Sequence, residues 1–210
     1  MKIIPTILTD NREELLEMLK ITKEFTDYVQ IDIMDGEFVP SRSITIDDLK
    51  EINFPIASEA HLMVKDPSKW IEPFKEFGAQ RIIYHCEVCE DHQEIISQIR
   101  KSGLSPGLAV NPSTSIDEFK NLVEEVEMVL FMSVNPGFYG SNFIPQVLEK
   151  IAQFKKLFPN KRIGIDGGIK QDNLKLVKEL GIDYICVGSA ILKSSNPKES
   201  YQQFNILLNE

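Results

Sequence analysis

Pro5-Thr6-Ile7-Leu8-Thr9-Asp10 carries the chain out of its first apolar run, and it contains no glycine. That absence decides between two architectures. Short apolar, β-branched runs predict strands at 3–8, 28–34, 57–64, 81–86, 105–110, 128–134, 162–165 and 184–187. Helical spacing follows them at about 11–25, 46–52, 67–77, 91–101, 115–124, 143–158, 171–180 and 197–208. Strict alternation of strand and helix implies a parallel sheet. Runs such as Ile82-Ile83-Tyr84 and Val129-Leu130-Phe131 lack polar alternation, as expected for strands covered on both faces. Such a sheet is either open and doubly wound or closed. The open form carries a glycine-rich turn after its first strand. Here the glycines instead follow the sixth, seventh and eighth strands, where a closed barrel builds its phosphate site. The expectation is an α/β chain forming a single (β/α)8 TIM barrel domain over residues 1–210.

Local signals fit this order. Asp10 is the predicted cap of the first helix, with Glu13 three residues on. Gly78, Gly103 and Gly181 mark three helix ends. The chain has 23 Lys+Arg against 32 Asp+Glu, a net charge of −9. Such a balance disfavours nucleic acid and anionic membrane as partners. No apolar run is long enough to span a bilayer, and residues 1–10 lack a signal-peptide pattern. Three cysteines do not suggest a disulfide framework, so the expected compartment is the cytoplasm.

Polar residues gather at the predicted strand ends. Alternation puts Gln30, Asp32 and Met34 on one side of the second strand, with Asp35 just beyond. Glu59 and His61 lie on the third, and Asp166 ends the seventh. Buried acids require pairing or a metal, so Asp32, His61 and Asp166 together point to a shared site at the barrel mouth. Loops with Gly137, Phe138, Tyr139 and Gly140, with Gly167 and Gly168, and with Gly188 and Ser189 suit a phosphorylated ligand. Met34, Met63 and Met132 follow three strands, either as core filler or as an apolar floor beside reacting carbons. Cys86 and Cys89, flanked by His85 and His92, form a C-x-x-C without the second ligand pair of a zinc motif, so free thiols are the preferred reading.

Several of these segments resemble the ribulose-phosphate 3-epimerases. They are Asp32-Ile33-Met34-Asp35-Gly36-Glu37-Phe38-Val39-Pro40, His61-Leu62-Met63-Val64, Asn111-Pro112-Ser113-Thr114, Met132-Ser133-Val134-Asn135-Pro136-Gly137-Phe138, Asp166-Gly167-Gly168-Ile169 and Gly188-Ser189-Ala190-Ile191. The resemblance runs from Pro5 to about Leu192. Orotidine-phosphate decarboxylases carry Asp-x-Lys on a strand, whereas Met34 stands at that lysine position here.

The resemblance implies C3 epimerisation of a ketose phosphate, with Asp32 and Asp166 as acid/base groups on opposite faces of the substrate. It implies a divalent cation (Zn, Fe, Mn or Mg) held by Asp32, His61 and Asp166 that polarises the carbonyl. It also implies that His61 and Thr6 contact a small phosphorylated sugar and that the glycine loops hold its phosphate. Homo-oligomers are common in the family. Gln30, however, stands where the family has a fourth metal-ligand histidine, and an amide oxygen is a weaker, harder ligand. This bears on the metal's affinity, identity and presence. It leaves open a 3-epimerase of another ketose phosphate, such as D-allulose 6-phosphate, and a sugar-phosphate binder without catalysis. Arg42 differs from the family pattern too and reads as a solvated loop residue.

Overall fold

The computed structural model describes residues 1–88, 91–137 and 140–210. Eight strands form it: β1 Lys2–Ile7, β2 Tyr28–Met34, β3 Ala57–Met63, β4 Ala79–His85, β5 Ser105–Val110, β6 Met128–Met132, β7 Arg162–Asp166 and β8 Tyr184–Val187. Each pairs in parallel with its sequence neighbours, and β8 pairs back with β1 at Lys2↔Tyr184 through Pro5↔Val187, closing the barrel. The helices are α1 Arg12–Lys23, α2 Ile46–Lys50, α3 Ser68–Phe77, α4 His92–Lys101, α5 Ile116–Phe119, α6 Gln146–Leu157, α7 Gln171–Glu179, α8 Ser189–Leu192 and α9 Pro197–Asn209. No helix of the described residues is long and apolar enough to cross a membrane.

Four local readings are corrected. Asn11, not Asp10, caps α1, its side chain accepting from the Glu14 N–H at 3.0 Å. The helix predicted over 115–124 is a single α-turn, α5, followed by a 3-10 segment at Lys120–Glu125. α6 begins at Gln146 rather than 143, just after Pro145, which suits a helix start because its missing N–H has no intrahelical partner to lose. α8 was not anticipated, because four residues are too few to show a helical period.

The core is two concentric shells. Outward-facing strand residues meet the helices. There Phe131 of β6 lies 5.2 Å from Phe154 of α6, and Phe119 of α5 lies 5.8 Å from Phe154, centroid to centroid. Each such aromatic pair adds about 0.5–1.5 kcal/mol beyond the burial of its area. Inward-facing residues fill the barrel itself, with Ile4, Ile83, Ala109, Met128, Leu130, Tyr184 and Cys186 packed together. Gly164 makes that filling possible: a Cβ there would lie 2.5 Å from the Tyr184 ring and 2.9 Å from Leu130. Any side chain at 164 would displace a neighbour that has nowhere to move in a close-packed interior.

Candidate active site

Strand register brings the polar residues together. Asp32 sits beside His61 across the β2–β3 ladder, and Gln30 sits beside Thr6 of β1. Asp166 pairs with Met132 on one side and Cys186 on the other. All of these lie toward the carboxyl ends of the strands, and Asp32, His61 and Asp166 are buried at 8%, 0% and 6% exposure. A cleft lined by Asp32 and Asp166 opens above them.

The geometry is tight. His61 Nδ1 is 3.0 Å from Asp32 Oδ1 and 3.5 Å from Asp166 Oδ2. The Gln30 amide nitrogen donates to Asp32 Oδ1 at 2.9 Å and to Asp166 Oδ2 at 2.6 Å, while its oxygen accepts from the Cys186 thiol at 3.0 Å. Carboxylates only accept, so they select the amide orientation in which nitrogen faces them. Burial, together with the neighbouring Asp32 carboxylate, pushes the Asp166 acid up to about 7. Burial opposes a charge on His61, but the hydrogen bond and charge of Asp32, with the charge of Asp166, raise it above its ordinary value. One ligand atom from each of Asp32, His61 and Asp166 lies within 4.8 Å of the others, a carboxylate–imidazole set suited to a divalent cation.

The remaining expected positions divide. Thr6, Met34, Met63 and Met132 line the cleft, as do Gly137, Gly140, Gly167, Gly168, Gly188 and Ser189. Gly168 has φ +65°, and a Cβ there would lie 2.6 Å from the Phe143 backbone nitrogen, so no other residue fits without strain. Phe138 and Tyr139 lie outside the described residues. Asp35 belongs to the loops instead: its carboxylate accepts from the backbone N–H groups of Glu37, Phe38 and Lys65, tying the loop after β2 to the loop after β3. Arg42 is exposed and its side chain lies over Gly36; it is not among the residues that line the cleft. Cys89 lies outside the described residues, and His85 points into the barrel rather than toward Cys86.

Some residues of the site were not singled out from sequence. Ser133, fully buried, places its hydroxyl 2.9 Å from the Asp166 carbonyl and 2.6 Å from the Gly167 carbonyl, fixing the end of β7 against β6. Lys170 lines the cleft beside the glycine loops. His85 Nε2 lies 3.0 Å from His61 Nε2, and Glu87 Oε2 lies 3.2 Å from His85 Nδ1. The available signal was the spacing His85-x-Glu87 at a strand end, which the adjacent cysteines obscured.

A sequence model of the ribulose-phosphate 3 epimerase family matches residues 2–192. The chain belongs to the ribulose-phosphate 3 epimerase family. It is 34% identical over 205 residues to the cytoplasmic isoform of ribulose-phosphate 3-epimerase of Oryza sativa subsp. japonica, covering 94% of this chain and 90% of that one. It is 33% identical over 212 residues to ribulose-phosphate 3-epimerase of Bacillus subtilis (strain 168), covering 96% and 97%. Among solved structures, KGPDC from Streptococcus mutans in complex with D-R5P superposes with a TM-score of 0.76 at 13% identity, covering 99% of this chain and 96% of that one. The 3-hexulose-6-phosphate synthase of Salmonella typhimurium gives 0.74 at 18%, covering 100% and 99%. These two likenesses are of fold, so within the ribulose-phosphate 3 epimerase family the assignment rests on sequence.

Proposed function

We propose that the chain epimerises D-ribulose 5-phosphate and D-xylulose 5-phosphate at C3. The observation that carries this reading is the convergence of Asp32 and Asp166, which line a cleft rimmed by the glycine loops, on the buried His61 beneath it. Epimerisation needs a base on one face of C3 and an acid on the other. Asp32, as carboxylate, takes the C3 proton, and the C–H electron pair moves into a C2–C3 double bond as the carbonyl oxygen gains charge. Asp166, whose acid is pushed up to about 7 in the metal-free site, is protonated in part at neutral pH and in that form delivers its proton to the opposite face of C3 as the carbonyl re-forms. The reverse reaction exchanges the roles.

Met34, Met63 and Met132 give the reacting carbons an apolar wall, and Thr6 offers a hydroxyl beside them. Gly168, Gly188 and Ser189 present backbone N–H groups to the phosphate, as anions are held at loop nests. Asp32, His61 and Asp166 would hold a divalent cation, which when bound supplies Lewis-acid polarisation of the C2 carbonyl. Gln30 is a hydrogen-bond donor to the two carboxylates rather than a fourth ligand, since its oxygen is turned to Cys186. A donor set of two carboxylates and one imidazole is harder than one with two imidazoles and favours Mn²⁺ or Mg²⁺ over Zn²⁺ more than the four-ligand set would. The cytoplasm is the compartment consistent with free Cys86 and Cys186.

Formation of D-xylulose 5-phosphate from D-ribulose 5-phosphate, read by a coupled assay, tests the reading. The expected result is metal-stimulated turnover with the highest kcat/KM for this substrate across a panel of ketose phosphates. A higher kcat/KM for a six-carbon ketose phosphate would overturn the substrate assignment.

A further inference from the structure

The last residue of β4, His85, is fully buried and meets His61 edge to edge. Their Nε2 atoms are 3.0 Å apart, with ring centroids 5.2 Å apart and planes 28° from parallel. Two imidazole nitrogens at that distance share one proton, so one ring donates and the other accepts. Glu87 settles which. Its Oε1 accepts from the Asn111 backbone N–H at 2.8 Å and from the Thr114 hydroxyl at 2.5 Å. A backbone N–H cannot reverse, so that oxygen must accept. The other oxygen, Oε2, is 3.2 Å from His85 Nδ1 and, being part of an ionised carboxylate, also accepts. His85 therefore carries its proton on Nδ1 and offers a lone pair at Nε2. His61 carries a proton on Nε2, so its Nδ1, the nitrogen facing Asp32 and Asp166, is the one a cation would take, displacing the proton that Nδ1 donates to Asp32 in the metal-free site.

The loop behind Glu87 is firmly seated. Lys150 of α6 donates to the carbonyls of Asn111, Pro112 and Thr114 at 2.7, 2.9 and 2.9 Å. The chain Asn111–Glu87–His85–His61 thus reads outward to inward with a single self-consistent set of proton positions.

We propose that Glu87 and His85 are positioning residues that set the tautomer of His61, so that its cleft-facing nitrogen is the one able to ligate a metal. Metal-binding histidines commonly donate their other N–H to a carboxylate, and here a second imidazole extends that arrangement. The inference rests on the reading above that His61 is a metal ligand, but the proton positions stand independently of catalysis.

Glu87→Gln is the decisive variant because it is isosteric and reverses the logic. The new amide must keep its oxygen toward the Asn111 N–H, which turns its NH₂ group toward His85 Nδ1. His85 then becomes an acceptor at Nδ1 and a donor at Nε2, and His61, accepting at Nε2, must hold its one proton on the cleft-facing nitrogen. The chain has three histidines, so their tautomers are separable by ¹⁵N chemical shift in the metal-free protein. The expected result is a neutral Nδ1–H His85 in the wild type and an Nε2–H His85 in Glu87→Gln. Zn²⁺ affinity, measured by calorimetry, falls about 10–100-fold in Glu87→Gln. Thr114→Val removes one donor without changing what Glu87 accepts from the backbone and His85, so it keeps the wild-type His85 tautomer.

A far-UV circular dichroism spectrum matched to the wild type establishes that Glu87→Gln is folded. The same His85 tautomer in both proteins would overturn the proposal, as would unchanged Zn²⁺ affinity despite a switched tautomer. Failure of the epimerase reading shows separately, as absent C3 exchange in the wild type, and does not move the His85 tautomer.

Discussion

Toward the amino ends of the strands, Glu59 faces Arg81 at 2.7 Å with the Tyr28 hydroxyl 3.1 Å away. Toward the carboxyl ends, Asp32 and Asp166 face His61 and the neutral amide of Gln30. Both clusters lie inside the same barrel. Burial raises Glu59, and Arg81 and Tyr28 pull it only part of the way back, so the lower cluster sets its acid against a fixed cation and fills space. The upper cluster has two carboxylates, a histidine pulled toward its charged form and no permanent side-chain cation among its members. Fold alone does not call for that imbalance. It is the arrangement expected where a cation and a proton are handled, and Asp32 and Asp166 line a cleft.

The sharpest way to break this contrast is to neutralise each cluster in turn. Asp32→Asn and Asp166→Asn should each lower kcat by about 10²–10⁴-fold, the range lost with a positioned acid or base, in steady-state assays on D-ribulose 5-phosphate. Arg81→Met should leave Glu59 buried without its partner and destabilise the protein by about 3–5 kcal/mol in urea unfolding. Turnover of the folded Arg81→Met fraction should stay within a few-fold of the wild type, because the lower cluster touches no reacting atom. Activity surviving both aspartate changes would erase the distinction.

Two smaller effects sharpen it. Gln30→His replaces the bridging donor with an imidazole and should raise Zn²⁺ affinity about 10–100-fold by calorimetry, as borderline-soft metals gain a nitrogen ligand. The stability of the metal-free protein should also track Asp166. Its folded value of about 7 lies above the ordinary 3.8, so the folded state binds that proton more tightly than the unfolded state does. That contribution is fully present below pH 3.8 and is lost as pH rises through 7. In the presence of chelator, Asp166→Asn should therefore gain about 1–2 kcal/mol over the wild type at pH 8, with the gain shrinking toward pH 5, by urea unfolding at both values.

Much of the fold could be read without coordinates, because strand–helix alternation and the placement of glycines after late strands are local features. The closed barrel follows from them. Helix ends were less legible: Asp10 and Asn11 are both good caps, and the choice between them depends on where the chain leaves β1. Of the site, Asp32, His61 and Asp166 stood out as polar residues near the ends of three predicted strands, where buried acids need a partner or a metal. The orientation of Gln30 was not, since it is set by the Asp32 carboxylate together with that of Asp166, 136 residues away. His85 and Glu87 were visible as letters but not as a relay, because Glu87 is held by the loop after β5 and His85 meets His61 only inside the closed barrel.

The most direct test of the central claim, that the charge-unbalanced mouth moves a proton at C3, is solvent-deuterium incorporation. D-Ribulose 5-phosphate is incubated in D₂O with chelated enzyme and with enzyme reloaded with Mn²⁺, Mg²⁺ or Zn²⁺. After the metal is removed, the sugar phosphates are read by proton NMR. The expected result is loss of the C3 proton signal in D-xylulose 5-phosphate, faster with metal present and abolished in Asp166→Asn. Binding of the sugar phosphate with its C3 proton retained under every metal condition would contradict it.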